Sequence, residues 1–142
     1  MKTRYFALIV GIIFLLIGIM GFVPSLRSLP NDAPAITVTS GYGYELGLFP
    51  INVLHNIVHL TVGVLGIAAF WSFSFAHLFA RGLAIFYGLL AVMGLIPATS
   101  TTFDLIPIFG NDVWLHAVTA LISGYFGYAV SENMEETDTR IA

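Results

Sequence analysis

Four stretches of the chain are nearly free of polar side chains, at about 6–23, 51–71, 82–96 and 113–130, with Gly, Pro, Thr and charged residues gathered between them. The first carries no charge, follows Lys2 and Arg4 and ends at Pro24. The third is short and can borrow Leu78 to Ala80. Each approaches the roughly 20 apolar residues needed to cross a hydrocarbon core of about 30 Å. The pattern predicts an all-α fold, a four-helix transmembrane bundle forming a single domain over 1–142. Ala33-Pro34-Ala35 imitates a signal-peptide cleavage site, but the preceding run is longer than a typical signal core and ends well before it. The first run therefore reads as a retained helix.

Charge placement orients the spans. Lys2, Arg4, Arg81 and Arg140 fall on one side and Arg27 alone on the other, with Arg81 and His77 read as inner-loop residues. By the positive-inside rule both termini are cytoplasmic. Tyr5, Phe70, Trp71, Phe73 and Tyr128 then lie at the inner interface, and Phe22, Phe49 and Trp114 at the outer one, the depth that amphipathic rings favour. The tail, 131–142, carries Glu132, Glu135, Glu136 and Asp138 and reads as a solvated end. In the outer loop between the first two spans, "AITVTSGYGYELGLFP" is compatible with a short hairpin or with a segment lying along the interface.

The chain also repeats itself. "GFVP" (Gly21 to Pro24) ends the first span and "GLIP" (Gly94 to Pro97) ends the third, and each is followed by a loop and a helix opening with Leu-His, at His55 and His116. Superposing these histidines matches Gly63 with Gly124 and Gly66 with Gly127. The expectation is two like-oriented helical hairpins, a pseudo-repeat of a kind known in membrane proteins. Small residues supply packing stripes at Gly11 and Gly18, at Ala84, Gly88 and Ala91, and at Thr119, Ser123 and Gly127.

Composition agrees and narrows the chemistry. Of 142 residues 58% are hydrophobic and 9% charged, far from the roughly 25% charged residues of a soluble domain. Four spans leave no room for a soluble catalytic domain. The absence of cysteine removes disulfides, thiolate nucleophiles and cysteine-ligated metals. The net charge of -3 gives no basic footprint for nucleic acid.

One polar cluster remains. Asn52, His55, Asn56 and His59 stand at i, i+3, i+4 and i+7 in "INVLHNIVHL", one face of one helix. With hydrocarbon beginning near Ile51, His55 lies roughly 6 Å deep and His59 roughly 12 Å. Ionisable side chains at such depth normally face the interior of the protein. Asp112, His116, Thr119 and Ser123 form a matching face on the fourth helix, and the two faces meet if the hairpins pack together.

Three readings stand. The polar groups satisfy one another across helices, each bond contributing about 0.6 and up to 1–2 kcal/mol. Alternatively, His55, His59 and His116 ligate a divalent metal, with Asp112 as ligand or orienter, or facing histidines hold haem. In the third reading the histidines relay protons or line a solute path.

The segments "LGLFPINVLHNIVHLTVGVLGI", "ARGLAIFYGLLAVMGLIP" and "GNDVWLHAVTALISGYFGY" resemble, in this order, a family of small bacterial four-helix membrane proteins, of cyanobacterial and actinobacterial type, catalogued as a domain of unknown function. The resemblance implies a bacterial inner membrane, or a thylakoid membrane in a cyanobacterium, and points away from a familiar enzyme. The sequence thus predicts a non-enzymatic structural, regulatory or accessory membrane component, without a committed cofactor. Its expected partners are the lipid bilayer and either another membrane protein or a second copy of itself.

Overall fold

The first apolar run forms α1 (Lys2–Met20) in a computed structural model that describes residues 1–29, 31 and 33–130. The acidic tail lies outside the described residues. Three further helices follow: α2 (Val53–Ala69), α3 (Phe73–Leu95) and α4 (Asn111–Gly124), the last prolonged by a π-helical turn, Tyr125–Ala129. At about 1.5 Å per residue, α1 and α3 are long and apolar enough to cross a membrane; α2 is apolar but shorter.

Helix α3 begins at Phe73, well ahead of the predicted start at Gly82. Ser72 explains this, because its side chain accepts a hydrogen bond from the Phe75 amide and so caps the helix. His77 and Arg81, expected in a loop, are therefore helical. Their polar ends are used at the other end of the chain: His77 Nε2 donates to the Val130 carbonyl (2.9 Å) and Arg81 Nε to the Gly127 carbonyl (2.7 Å). The last carbonyls of a helix have no partner within it, and α3 supplies donors to two of them. Only Phe70 to Ser72 separate α2 from α3.

The other end of the molecule carries two long loops, and here the fold departs from all-α. The first loop holds a 3₁₀ turn (Pro24–Leu26) and a small antiparallel sheet in the order β1-β2-β3, with β1 at Arg27–Ser28, β2 at Gly43–Glu45 and β3 at Phe49–Ile51. Tyr44 pairs with Pro50, and Arg27 lies opposite Glu45. The hairpin alternative for this loop is thus the one the structure adopts, with a third short strand added.

Both loops are tied to the helices beneath them. Asn52, the N-cap of α2, accepts from the His55 amide and donates through its side-chain nitrogen to the carbonyls of Val38 (3.1 Å) and Leu105 (2.6 Å). Thr37 bonds Asp104 across the loops, and Asn111 at the start of α4 reaches the Leu48 carbonyl.

α1 packs chiefly on α2, and α3 on α4. The α1–α2 contact is backbone to backbone: a Cβ on Gly63 would lie 2.6 Å from the Leu15 nitrogen, and one on Gly66 would lie 2.7 Å from the Gly11 Cα. Only glycine permits that approach. Phe14, Val62, Phe79, Leu83 and Tyr87, with small alanines, fill the centre of the molecule toward the short-turn end.

Candidate functional site

Two first turns of helix, α2 and α4, begin beneath the loops and point their polar residues at each other. Strand β3 runs into α2 through Asn52, which leaves the Pro50 carbonyl 3.1 Å from His55 Nδ1. A carbonyl only accepts, so a proton on Nδ1 satisfies the Pro50 contact; the Pro107 carbonyl also lies within hydrogen-bonding reach of the ring. On α4, Asp112 and His116 are one turn apart, and both approach the His55 ring.

Asp112 Oδ2 lies 3.6 Å from His55 Nε2 and 3.5 Å from His116 Nε2. Each of these three residues offers a donor atom within 4.8 Å of the other two. None is more than 2% exposed.

The remaining predicted residues fall around this centre. His59 lies one turn below His55, with ring centroids 4.4 Å apart and planes tilted by 51°, and makes an edge contact with Phe14 at 5.3 Å; it lies outside the three-residue group. Asn56 faces the end of α1, where any side chain at Gly21 would collide with its amide. Asn52 is a structural cap. Thr119 is only half-buried and does not join the histidines; it lines an apolar cleft of about 200 Å³ between α1 and α4. At its level the helix opposite α4 is α1 rather than α2.

The expectation that these groups satisfy one another meets a different geometry. Both ring nitrogens of His59 and of His116, both carboxyl oxygens of Asp112 and both amide atoms of Asn56 are buried without a hydrogen-bond partner among the described residues. A buried polar group left unpaired costs about 1–3 kcal/mol, so so many in one place are expensive unless a ligand meets them. Among the described residues of the cluster, the hydrogen bonds are those of Asn52 and His55.

Haem does not suit the spacing. The ring centroids of His55 and His116 are only 6.1 Å apart, with the planes tilted by 53°, and Asp112 Oδ2 lies within 3.6 Å of both Nε2 atoms, too close for a macrocycle to pass between them.

Two further residues belong to the site and were missed in the sequence. Tyr87 of α3 packs 5.1 Å from the His116 ring, with its hydroxyl buried and unpaired. A lone hydroxyl inside "LAIFYGLL" was the available signal. Glu45 of β2 is 3% exposed, and burial raises its carboxyl to about 6; nothing in the loop's pattern marks it. A cavity of about 280 Å³ lined by His55, His59, Tyr87 and His116 opens beside the centre, and a smaller one of about 100 Å³ lies between Glu45, His59 and Asp112.

Comparison with known proteins places the chain in a family. Residues 4–129 match the model of the domain of unknown function DUF4383, and the chain belongs to that family. No curated protein and no solved structure matches it.

Proposed function

We propose that this member of the DUF4383 family is a multi-pass protein of a bacterial inner membrane, or of a thylakoid membrane in a cyanobacterium. It crosses the bilayer four times as a bundle with both termini cytoplasmic, and it acts without catalysing a reaction, as an accessory component built around a buried polar receptacle. The observation that carries this reading is the inverted distribution of side chains. Ile9, Ile13 and Leu16 of α1, Val64 of α2, Ile85 and Leu89 of α3 and Leu121 of α4 are exposed, while Asn52, His55, Asn56, His59, Asp112 and His116 are at most 2% exposed. Water does not favour that arrangement; lipid does. Helix α4 with its π turn spans 14 and 5 residues, a length that suits a thin or locally adapted bilayer.

The apolar cleft between α1 and α4, lined by Phe6, Val10, Ile17, Leu115 and Val118, is where a lipid chain or a helix of a partner membrane protein would lie. A solute or proton path is disfavoured, because Phe14, Val62, Phe79 and Leu83 form an apolar layer between the histidines and the short-turn end.

Reporter fusions test the topology. Alkaline phosphatase inserted in the 21–52 or 96–110 loops should be active, and at the 70–72 turn inactive. The opposite pattern, or a chain released from membranes by alkaline carbonate, would overturn the reading.

A further inference from the structure

We propose that His55 Nε2, His116 Nε2 and Asp112 Oδ2 form a binding site for a divalent first-row transition ion such as Zn²⁺, with the ion's fourth position turned to the cavity beside Tyr87. The inference gives chemical content to the receptacle of the preceding reading and rests on that reading only for the side from which the ion enters.

Three independent features of the geometry support it. The first is distance. Metal–nitrogen and metal–oxygen bonds of about 2.0–2.2 Å place neighbouring ligand atoms of a tetrahedral site roughly 3.4 Å apart. The two histidine–aspartate separations, 3.5 and 3.6 Å, already have that length, and the third edge lies within 4.8 Å. Small side-chain rotations close it.

The second is valence. His116 Nε2 and both Asp112 oxygens are buried with no hydrogen-bond partner among the described residues. Neither a helix cap nor a packing contact accounts for them, whereas a cation takes a lone pair from His116 Nε2 and from Asp112 Oδ2 at once. The third is orientation. With its proton on Nδ1, His55 donates to the Pro50 carbonyl, the kind of outer contact that fixes the tautomer and aims the other nitrogen in metal sites, and an ion would take that nitrogen in competition with the Pro107 carbonyl, which also reaches the ring. β3 and the Asn52 cap hold the Pro50 carbonyl in place.

The donor set selects the ion. Two imidazoles and one carboxylate suit zinc, iron(II), cobalt or nickel rather than magnesium or calcium, which prefer oxygen. Three protein donors leave one position to water or a small ligand from the cavity of about 280 Å³. His59 lines that cavity below the site and is a neighbour of the ion, not a ligand.

The test is a Co²⁺ titration of the full chain, purified in detergent and stripped of metal, followed by visible absorption with Zn²⁺ as competitor. The wild type should give a saturable band at roughly one ion per chain, abolished by Zn²⁺. Asp112→Asn and His116→Gln should weaken binding beyond the roughly 10–100-fold that loss of an outer contact costs, while His59→Gln should stay within a few-fold. Absence of a saturable band in the folded wild type overturns the proposal, and this arm needs no variant. It is also overturned if Asp112→Asn binds like the wild type or if His59→Gln loses the ion as completely as His116→Gln. Circular dichroism of each variant separates lost binding from lost folding. A metal-free, correctly oriented protein would sink this inference and leave the membrane reading standing, whereas aberrant topology with intact cobalt binding would do the reverse.

Discussion

Helices α1 and α2 meet backbone to backbone, whereas α3 and α4 meet through side chains. In the first pair a Cβ at Gly63 would stand 2.6 Å from the Leu15 nitrogen; at Gly124, its sequence counterpart in the second pair, a Cβ would find Ala84 Cβ at an ordinary 3.9 Å. Gly66 and Gly127 are more alike, since both would drive a Cβ into a neighbouring backbone. The histidines leading the two helices converge, but what precedes them does not. Asp112, four residues before His116, corresponds to Ile51 before His55, and both positions are buried, at 1% exposure each. Two similar hairpins can therefore supply one imidazole apiece, yet only the second supplies the carboxylate. The difference teaches that two helices with similar leading sequences do different work: the first is held by tight packing and an oriented imidazole, while the second brings the carboxyl group.

Substitutions can break this comparison, and the largest effect is expected at the tight interface. Gly63→Val should destabilise the protein by about 3 kcal/mol or more, since backbone cannot move aside as a side chain can. Gly124→Ala should change stability by no more than about 0.5 kcal/mol. Thermal unfolding in one detergent, followed by circular dichroism, compares the two directly, and equal losses would erase the asymmetry.

Next in size is Asn52→Ala, which removes the α2 cap and the bonds to Val38 and Leu105, an expected loss of about 2–3 kcal/mol. Helix α4 has no side-chain cap at Gly110, so Gly110 variants are not a matched loss, and the two loops should loosen together in hydrogen exchange when Asn52 is changed but not when Gly110 is.

Asp112→Ile makes the second hairpin match the first. In metal-free protein it should stabilise by about 1–3 kcal/mol, through relief of an unpaired buried carboxyl. A melting temperature unchanged or lowered without metal would show that Asp112 is satisfied in a way the geometry does not display.

The smallest expected effect is on Glu45. Its folded value of about 6 exceeds the ordinary 4.5 because burial disfavours the charged form. Between these values the folded state binds more protons than the unfolded one, so stability falls as pH rises from about 4.5 to 6 and then levels off. The loss is on the order of 1–2 kcal/mol, and Glu45→Gln should abolish it. A flat profile over that window in the wild type would contradict the burial of this carboxyl.

Much of this was legible in the sequence, and what was not has physical causes. The apolar runs announced four helices because their length and period survive any packing arrangement. The polar face of His55 and His116 followed from helical spacing and required only that the two helices begin at the same end. The start of α3 was missed because Arg81 and His77 look like loop residues until their partners, the carbonyls of Gly127 and Val130, are known. Those partners lie some 46 and 53 residues away, beyond any local pattern. Thr119 shares the stripe of Asp112 and His116 and yet faces α1, since spacing gives the face of a helix but not the neighbour that it meets. Tyr87 and Glu45 enter the site from elements whose own periodicity assigns them no role.

The apolar layer beneath the histidines has an electrical consequence. In a four-span bilayer orientation, a cation reaching His55 from the loop side descends roughly 6 Å into hydrocarbon of about 30 Å and goes no further. It therefore samples about one fifth of the membrane potential. At about 2.3 kcal/mol per charge per 100 mV, a divalent ion gains about 1 kcal/mol from a potential negative on the far side, or about fivefold in affinity. Occupancy in a vesicle would then rise when the membrane is energised and fall when it is discharged, with no moving helix required.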